Sequence, residues 1–144
     1  MRAGIRLLQV KDSDWAHRRA IVESKLAHTL GKTQRRVSAR SLTLRHVNPA
    51  SAAAFFRETH LQGAPRGAFD AYALVDGQDT ILACLALGMG GALGYRGTAG
   101  EREVIRYATA LQTAVRGGYT RLTKYIFQEL PDVERLVTFA DRMW

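Results

Sequence analysis

At 144 residues, with 47% apolar and 24% charged side chains, the chain has the length and composition of one ordinary globular domain, able to bury about two-thirds of its unfolded surface. No apolar run approaches the roughly 18 residues of a membrane span, charges at Arg2, Arg6, Lys11 and Asp12 interrupt any signal core, and a lone Cys84 excludes an internal disulfide, so a cytoplasmic protein with no membrane partner is expected. The formal charge of +8 is confined to residues 1–46, which carry eleven Lys and Arg against three acids, whereas residues 47–144 carry ten of each sign; this asymmetry points to a polyanion or to an acidic protein surface.

In chain order, Ile5 to Val10 reads as a short apolar strand. Asp12-Ser13-Asp14 offers N-cap chemistry for a helix with Trp15, Val22, Leu26 and Leu30 on one face, closed by Gly31. Lys32 to Arg40 has no apolar period and reads as a linker or an exposed strand edge. Ser41 to Val47 alternates as a strand. Asn48-Pro49 then starts a helix that stops before Gly63, because the Asn side chain can cap and Pro suits the first helical position. Ala68 to Val75 and Thr80 to Leu87 form a hairpin across Asp76-Gly77; both are apolar on both faces, as strands covered on two sides are. Residues 88–100 hold six glycines and read as a loop or flap. Val104-Ile105 lie in a further strand, Gly117-Gly118 make a turn, Tyr119, Leu122, Ile126 and Leu130 make a helical stripe ended by Pro131, and Leu136 to Phe139 close with a strand. The sum is an α+β fold: a mixed, largely antiparallel sheet with helices packed on it, preceded by a β-α segment.

Several of these residues recur in order in one family. Phe56 … His60-Leu-Gln-Gly63, an apolar hairpin, Glu103-x-x-Arg-Tyr107, Val115-Arg-Gly-Gly118 … Leu122-x-Lys-Tyr125 and Thr138-Phe-Ala-Asp-Arg142 resemble the C-terminal domain of phage Hef-like homing endonucleases. More distantly they resemble the Mom-type DNA modification proteins, which are acetyltransferase-like (GNAT) in fold. Gly4 to Val10, Asp14-Trp15, Arg18-Arg19 and Ile21 to Leu26 look like the last strand and helix of a Vsr-like (EDxHD) nuclease domain, whose catalytic carboxylates and histidine lie upstream in that family. The resemblance implies a basic segment and linker over residues 1–40 and an incomplete GNAT-like domain over residues 41–144. It further implies an internal piece of a larger architecture, either a reduced natural gene product or a segment cut from a longer one, and leaves open a complementing chain as partner.

Candidate site residues follow. A helix-end histidine such as His60 can cap the last carbonyls, but the resemblance places it in the site region. Glu103 and Arg106, three apart on one strand, are expected on opposite faces, with Arg106 free to bind an anion or to close a strand-edge ion pair. Asp141, just past the last strand, stands where open α/β sheets carry site residues. Arg116, Gly117 and Gly118 form the anion or cofactor candidate, because a glycine turn before a helix exposes N–H groups at the positive dipole end. The acetyltransferase pyrophosphate pattern Gln/Arg-x-x-Gly-x-Gly/Ala is degenerate here: counted from Arg116, Tyr119 stands where glycine is needed, and counted from Gln112, Val115 does. No cofactor is therefore expected, with acyl-coenzyme A left open. The four histidines and Cys84 have no zinc-type spacing, so no metal is expected.

Arg18, Arg19, Lys32, Arg35, Arg36 and Arg40 are the expected phosphate contacts, which position a protein on DNA without reading sequence. The leading expectation is a phage-type, non-cleaving DNA-binding relative of the Hef-like enzymes. A Mom-like transferase acting on a DNA base, and an inhibitor or adaptor docking on an acidic protein, are the alternatives.

Overall fold

Asn48 shows how local chemistry sets the frame. Its side chain accepts from the Ser51 N–H at 2.8 Å, Pro49 occupies the first turn, and the helix runs Pro49–Thr59 as expected. The structure is a computed structural model that describes residues 7–88 and 99–139. Its helices are α1 (Asp12–His17), α2 (Arg19–Thr29), α3 (Pro49–Thr59) and α4 (Gly118–Glu129). Its strands are β1 (Arg35–Ser38), β2 (Thr43–Val47), β3 (Phe69–Val75), β4 (Ile81–Gly88), β5 (Glu101–Thr109), β6 (Thr113–Arg116) and β7 (Arg135–Val137).

The expected α+β class holds. Five strands form one sheet in the order β2-β3-β4-β5-β7, antiparallel except for the parallel β5–β7 pair. Strands β1 and β6 form a separate parallel ribbon. As the two-sided apolar pattern requires, β3 and β4 are buried on both faces. Tyr72, Leu74, Leu85 and Leu87 pack with Leu122 and Ile126 of α4 on one face; Ala71, Ala73, Cys84 and Ala86 pack with Ala52 and Phe56 of α3 on the other. The hairpin turn is fixed by Asp76, whose Oδ1 accepts from the Gln78 and Thr80 N–H groups at 3.1 Å each. Among the described residues no helix is long and apolar enough to cross a membrane.

The N-terminal segment departs from expectation in three ways. Leu7 to Val10 enters no strand: Leu7 is 77% exposed, and apolar alternation without a neighbouring strand to pair with does not make one; Ile5 and Arg6 lie outside the described residues. The expected single helix breaks at Arg18 (φ −137°, ψ 32°). Helix α1 buries no residue, Trp15 stays exposed beneath the Arg19 guanidinium 4.8 Å from its ring, and Asp12 and Asp14 lie inside the first turn rather than capping it. The stripe thus begins at Ile21 and Val22, which pack on Leu61. The other end follows the sequence: Gly31 (φ +68°) donates to the His28 carbonyl and Lys32 to that of Ala27, the paired bonds of a Schellman cap.

Besides the β1–β6 pairing, side chains fasten this basic segment to the remainder. The Gln112 N–H donates to Ser24 Oγ of α2 at 2.8 Å, and Arg121 of α4 donates to the carbonyls of Ala39 and Leu42. Of the expected glycine flap, residues 89–98 lie outside the described residues, Gly88 ends β4, and Ala99-Gly100 form a turn into β5. At its end the chain turns sharply. Gln112 takes φ +53°, and β6 leaves the main sheet to pair with β1, so one expected strand region becomes two. The last strand is Arg135–Val137, which leaves Thr138 and Phe139 beyond it.

Candidate functional site

The divergence of β6 from β5 opens a cavity of ≈ 380 Å³. Its walls are Tyr107 and Thr109 of β5, Thr113 and Val115 of β6, the Gly117-Gly118 turn, and α2. Ile21, Lys25 and His28, spaced four and three apart, bring one face of α2 to it. A second chamber of ≈ 240 Å³ lies beside it, lined by Gln62, Arg106 and Phe139 among others. Lys25, His60, Tyr107 and Tyr119 line both chambers, so these four side chains mark their junction.

His60 is the C-cap of α3, and its ring stands edge-on to Phe56. Its Nδ1 accepts from the Gln62 N–H at 3.1 Å. A backbone N–H can only donate, so Nδ1 carries a lone pair and the proton of the neutral ring sits on Nε2. Burial first, then the charges of Arg106, Lys25 and Arg18, lower the His60 pKa from its ordinary 6.5 to about 4. At neutral pH His60 is therefore an uncharged hydrogen-bond donor rather than a base.

Arg106 reaches the second chamber because of a β-bulge. The ladder pairs Leu87 with Val104 but Ala86 with Arg106, so two residues of β4 face three of β5 and alternation is reset. Arg106 thereby joins the face of Ala86, under α3, and shares it with Glu103; the expectation of opposite faces fails for that reason. No ion pair closes between the two. Arg106 donates instead to the carbonyls of Ile105 (2.8 Å) and Gly63 (3.4 Å), and its pKa is lowered by burial. Glu103 is buried, and its Oε2 has no hydrogen-bond partner among the described residues.

The glycine turn closes on a side chain. Gly117 takes φ +74°, which favours glycine. A Cβ on Gly118 would lie 2.8 Å from Tyr107 Oη and 3.1 Å from Val115 Cγ1. Burial pushes the Tyr107 phenol up to about 12, an effect that the nearby Tyr119 backbone N–H opposes. The close approach that glycine permits at position 118 is used for packing against Tyr107 and Val115.

Gly117 and Gly118 line the larger cavity, but Arg116 lines neither chamber. It is exposed, opposite Ser38 in the β1–β6 register, and two-residue alternation sets it on the same ribbon face as Arg36. Arg40 follows in the 3-10 turn Ala39–Ser41, and Lys32 precedes the ribbon; all four are exposed. The Arg36 guanidinium donates to the Gly31 carbonyl at the C-terminus of α2, where a cation is favoured. Arg35 pairs with Asp76 at 3.4 Å and Arg19 with Glu23 at 2.8 Å, while Arg18 sits near His60. Asp141 lies outside the described residues.

Lys25, His28, Tyr107 and Tyr119 were not singled out as cleft residues from sequence. The helical spacing of 21, 25 and 28 was a usable signal, but the distance in sequence from α2 to β5 hid its partner. Among the described residues no three His, Cys, Asp or Glu side chains come together in a way that could hold a metal ion. No protein-family model and no curated protein matches the chain.

Proposed function

We propose that this chain is a nucleic-acid-associated protein of the Hef-like, Mom-like type that grips DNA through its phosphates without cutting it. The observation that carries the reading is the basic ridge: Lys32, Arg36, Arg40 and Arg116 are all exposed, with Arg36 and Arg116 on one face of the β1–β6 ribbon. Cations so placed serve phosphate contacts, which are sequence-independent and release counterions. The strand order β2-β3-β4-β5 with a helix and a parallel β7 after the glycine turn accords with the acetyltransferase-like core that the resemblance implies. A cation-dependent nuclease needs clustered carboxylates, and the cleft offers Lys25, Arg106 and hydroxyl groups instead.

Salt titration tests it. With four to six phosphates contacted, log K for a short duplex should fall against log salt with a slope of roughly −3.6 to −5.4. Binding that is absent at low salt, or that ignores salt, refutes the reading. The Mom-like transferase remains the second reading, because His60 and Arg106 meet at one cleft. Calorimetry with acetyl-coenzyme A separates the two: Val115 and Tyr119, standing where the pyrophosphate pattern needs glycine, predict no tight binding, and low-micromolar affinity would favour the transferase.

A further inference from the structure

The larger cavity offers a mixed set of hydrogen-bonding groups rather than a charge. No Asp, Glu or Arg is among the described residues that line it, and Lys25, which does line it, is engaged in an interaction of its own. Arg106 belongs to the smaller chamber, where the buried Glu103 carboxylate acts on it. Hydroxyl groups supply most of the polar wall. Thr29 Oγ1 donates to the Lys25 carbonyl at 3.0 Å, Thr59 Oγ1 to that of Phe55 at 2.7 Å and Thr113 Oγ1 to that of Leu111 at 3.1 Å. A hydroxyl has one proton, so these three keep only lone pairs for a ligand. Ser24 is the converse: its Oγ accepts from the Gln112 N–H at 2.8 Å, and its own proton is left to donate. His60, with Nδ1 occupied by the Gln62 N–H, adds an Nε2–H donor. The remaining wall is apolar or aromatic. Ile21, Ala108 and Val115 are buried there, and Tyr107 and Tyr119 meet edge to face with ring centroids 5.2 Å apart.

We propose that the larger cavity binds one uncharged planar heterocycle of the nucleobase class, its ring against Tyr119 and its edge bonded to the threonine hydroxyls and to His60. A nucleobase edge sets donors beside acceptors, which pairs with lone pairs and N–H or O–H groups in one wall. An ion would lose its hydration there without an available opposite charge to replace it. An alcohol or a sugar would satisfy the hydroxyls but leave the aromatic and apolar wall uncovered. The volume of ≈ 380 Å³ lies in the range of small-ligand sites. The site uses no cation of the ribbon and no acyl donor, so it stands apart from both readings above. A free nucleoside and an unstacked base of a strand present the same ring and edge, and the test separates them.

The full chain is titrated with adenosine, cytidine and uridine in turn, following backbone amide NMR shifts. At least one nucleoside should give saturable shifts at Thr109, Thr113 and Tyr119. Its affinity should fall roughly fivefold or more in Tyr119→Ala, because a stacking ring is removed, and be kept in Tyr119→Phe. Thr120 lines the cavity from an exposed position of α4, so Thr120→Trp should block the site without disturbing the core and decides the matter if Tyr119→Ala fails to fold. No saturable binding of any of the three, affinity indifferent to Tyr119→Ala and Thr120→Trp, or displacement of the nucleoside by inorganic phosphate would each overturn the proposal. A short single-stranded oligonucleotide that displaces the nucleoside identifies an unstacked strand base as the occupant. One that leaves the nucleoside shifts in place identifies a free nucleoside. Either of these two outcomes keeps the site, and loss of duplex binding in ridge variants does not bear on it.

Discussion

Replacing His60 by Asn keeps an acceptor for the Gln62 N–H and removes the titrating ring, which isolates the energetic consequence of holding this histidine neutral. The folded chain binds the His60 proton only near pH 4, whereas the unfolded chain binds it near 6.5. As pH falls through that window the unfolded state takes up the proton first, so stability is full above about pH 6.5 and is lost progressively toward pH 4. The gap between 6.5 and about 4 corresponds to about 3 kcal/mol. That is a large share of the roughly 5–15 kcal/mol that holds a domain folded. Urea unfolding monitored by circular dichroism reads it directly. With a denaturant slope of about 2 kcal/mol/M, the wild-type midpoint should drop between neutral pH and pH 4 by about 1.5 M more than the midpoint of His60→Asn. The comparison cancels every other titrating group the two proteins share. Parallel pH profiles would refute the reasoning and return His60 to the ordinary range, where a role as a base would be open to it.

The remaining predictions concern packing. Gly118→Ala places a methyl group 2.8 Å from Tyr107 Oη and should lower stability by roughly 1–3 kcal/mol in thermal or urea unfolding. Combining it with Tyr107→Phe should recover part of that loss, because the clashing oxygen is gone; strict additivity would show that the two residues do not touch. Phe56→Ala empties a fully buried site between α3 and the sheet and should cost about 3–5 kcal/mol by the same assays, a loss below 1 kcal/mol contradicting the packing described.

Much of the frame was legible because local chemistry and tertiary packing agree there. Asn48-Pro49 specifies a helix start whatever surrounds it, Asp76-Gly77 specifies a hairpin, and strands apolar on both faces belong at the centre of a sheet. Failures occurred where long-range packing decides. Trp15 has helical spacing to Val22 but nothing apolar beneath it, so the helix breaks at Arg18. Strict alternation separates Glu103 from Arg106, and only the pairing of β5 with β4 places the bulge that unites their faces. Gly117-Gly118 reads equally as a phosphate turn or a close contact, and the contact partner, Tyr107, lies ten and eleven residues upstream on another element. Arg116 belongs to the ridge because β6 leaves the main sheet for β1, a parallel pairing that no local pattern announces.

The most direct test of the nucleic-acid reading is the salt dependence of duplex binding in the triple variant Arg36→Gln, Arg40→Gln, Arg116→Gln, measured by fluorescence anisotropy beside the wild type. If all three side chains contact phosphate, the slope of log K against log salt should become shallower by about 2.7, with the fold intact by circular dichroism. A slope identical to that of the wild type would contradict the account and place the phosphate contacts away from the β1–β6 ribbon.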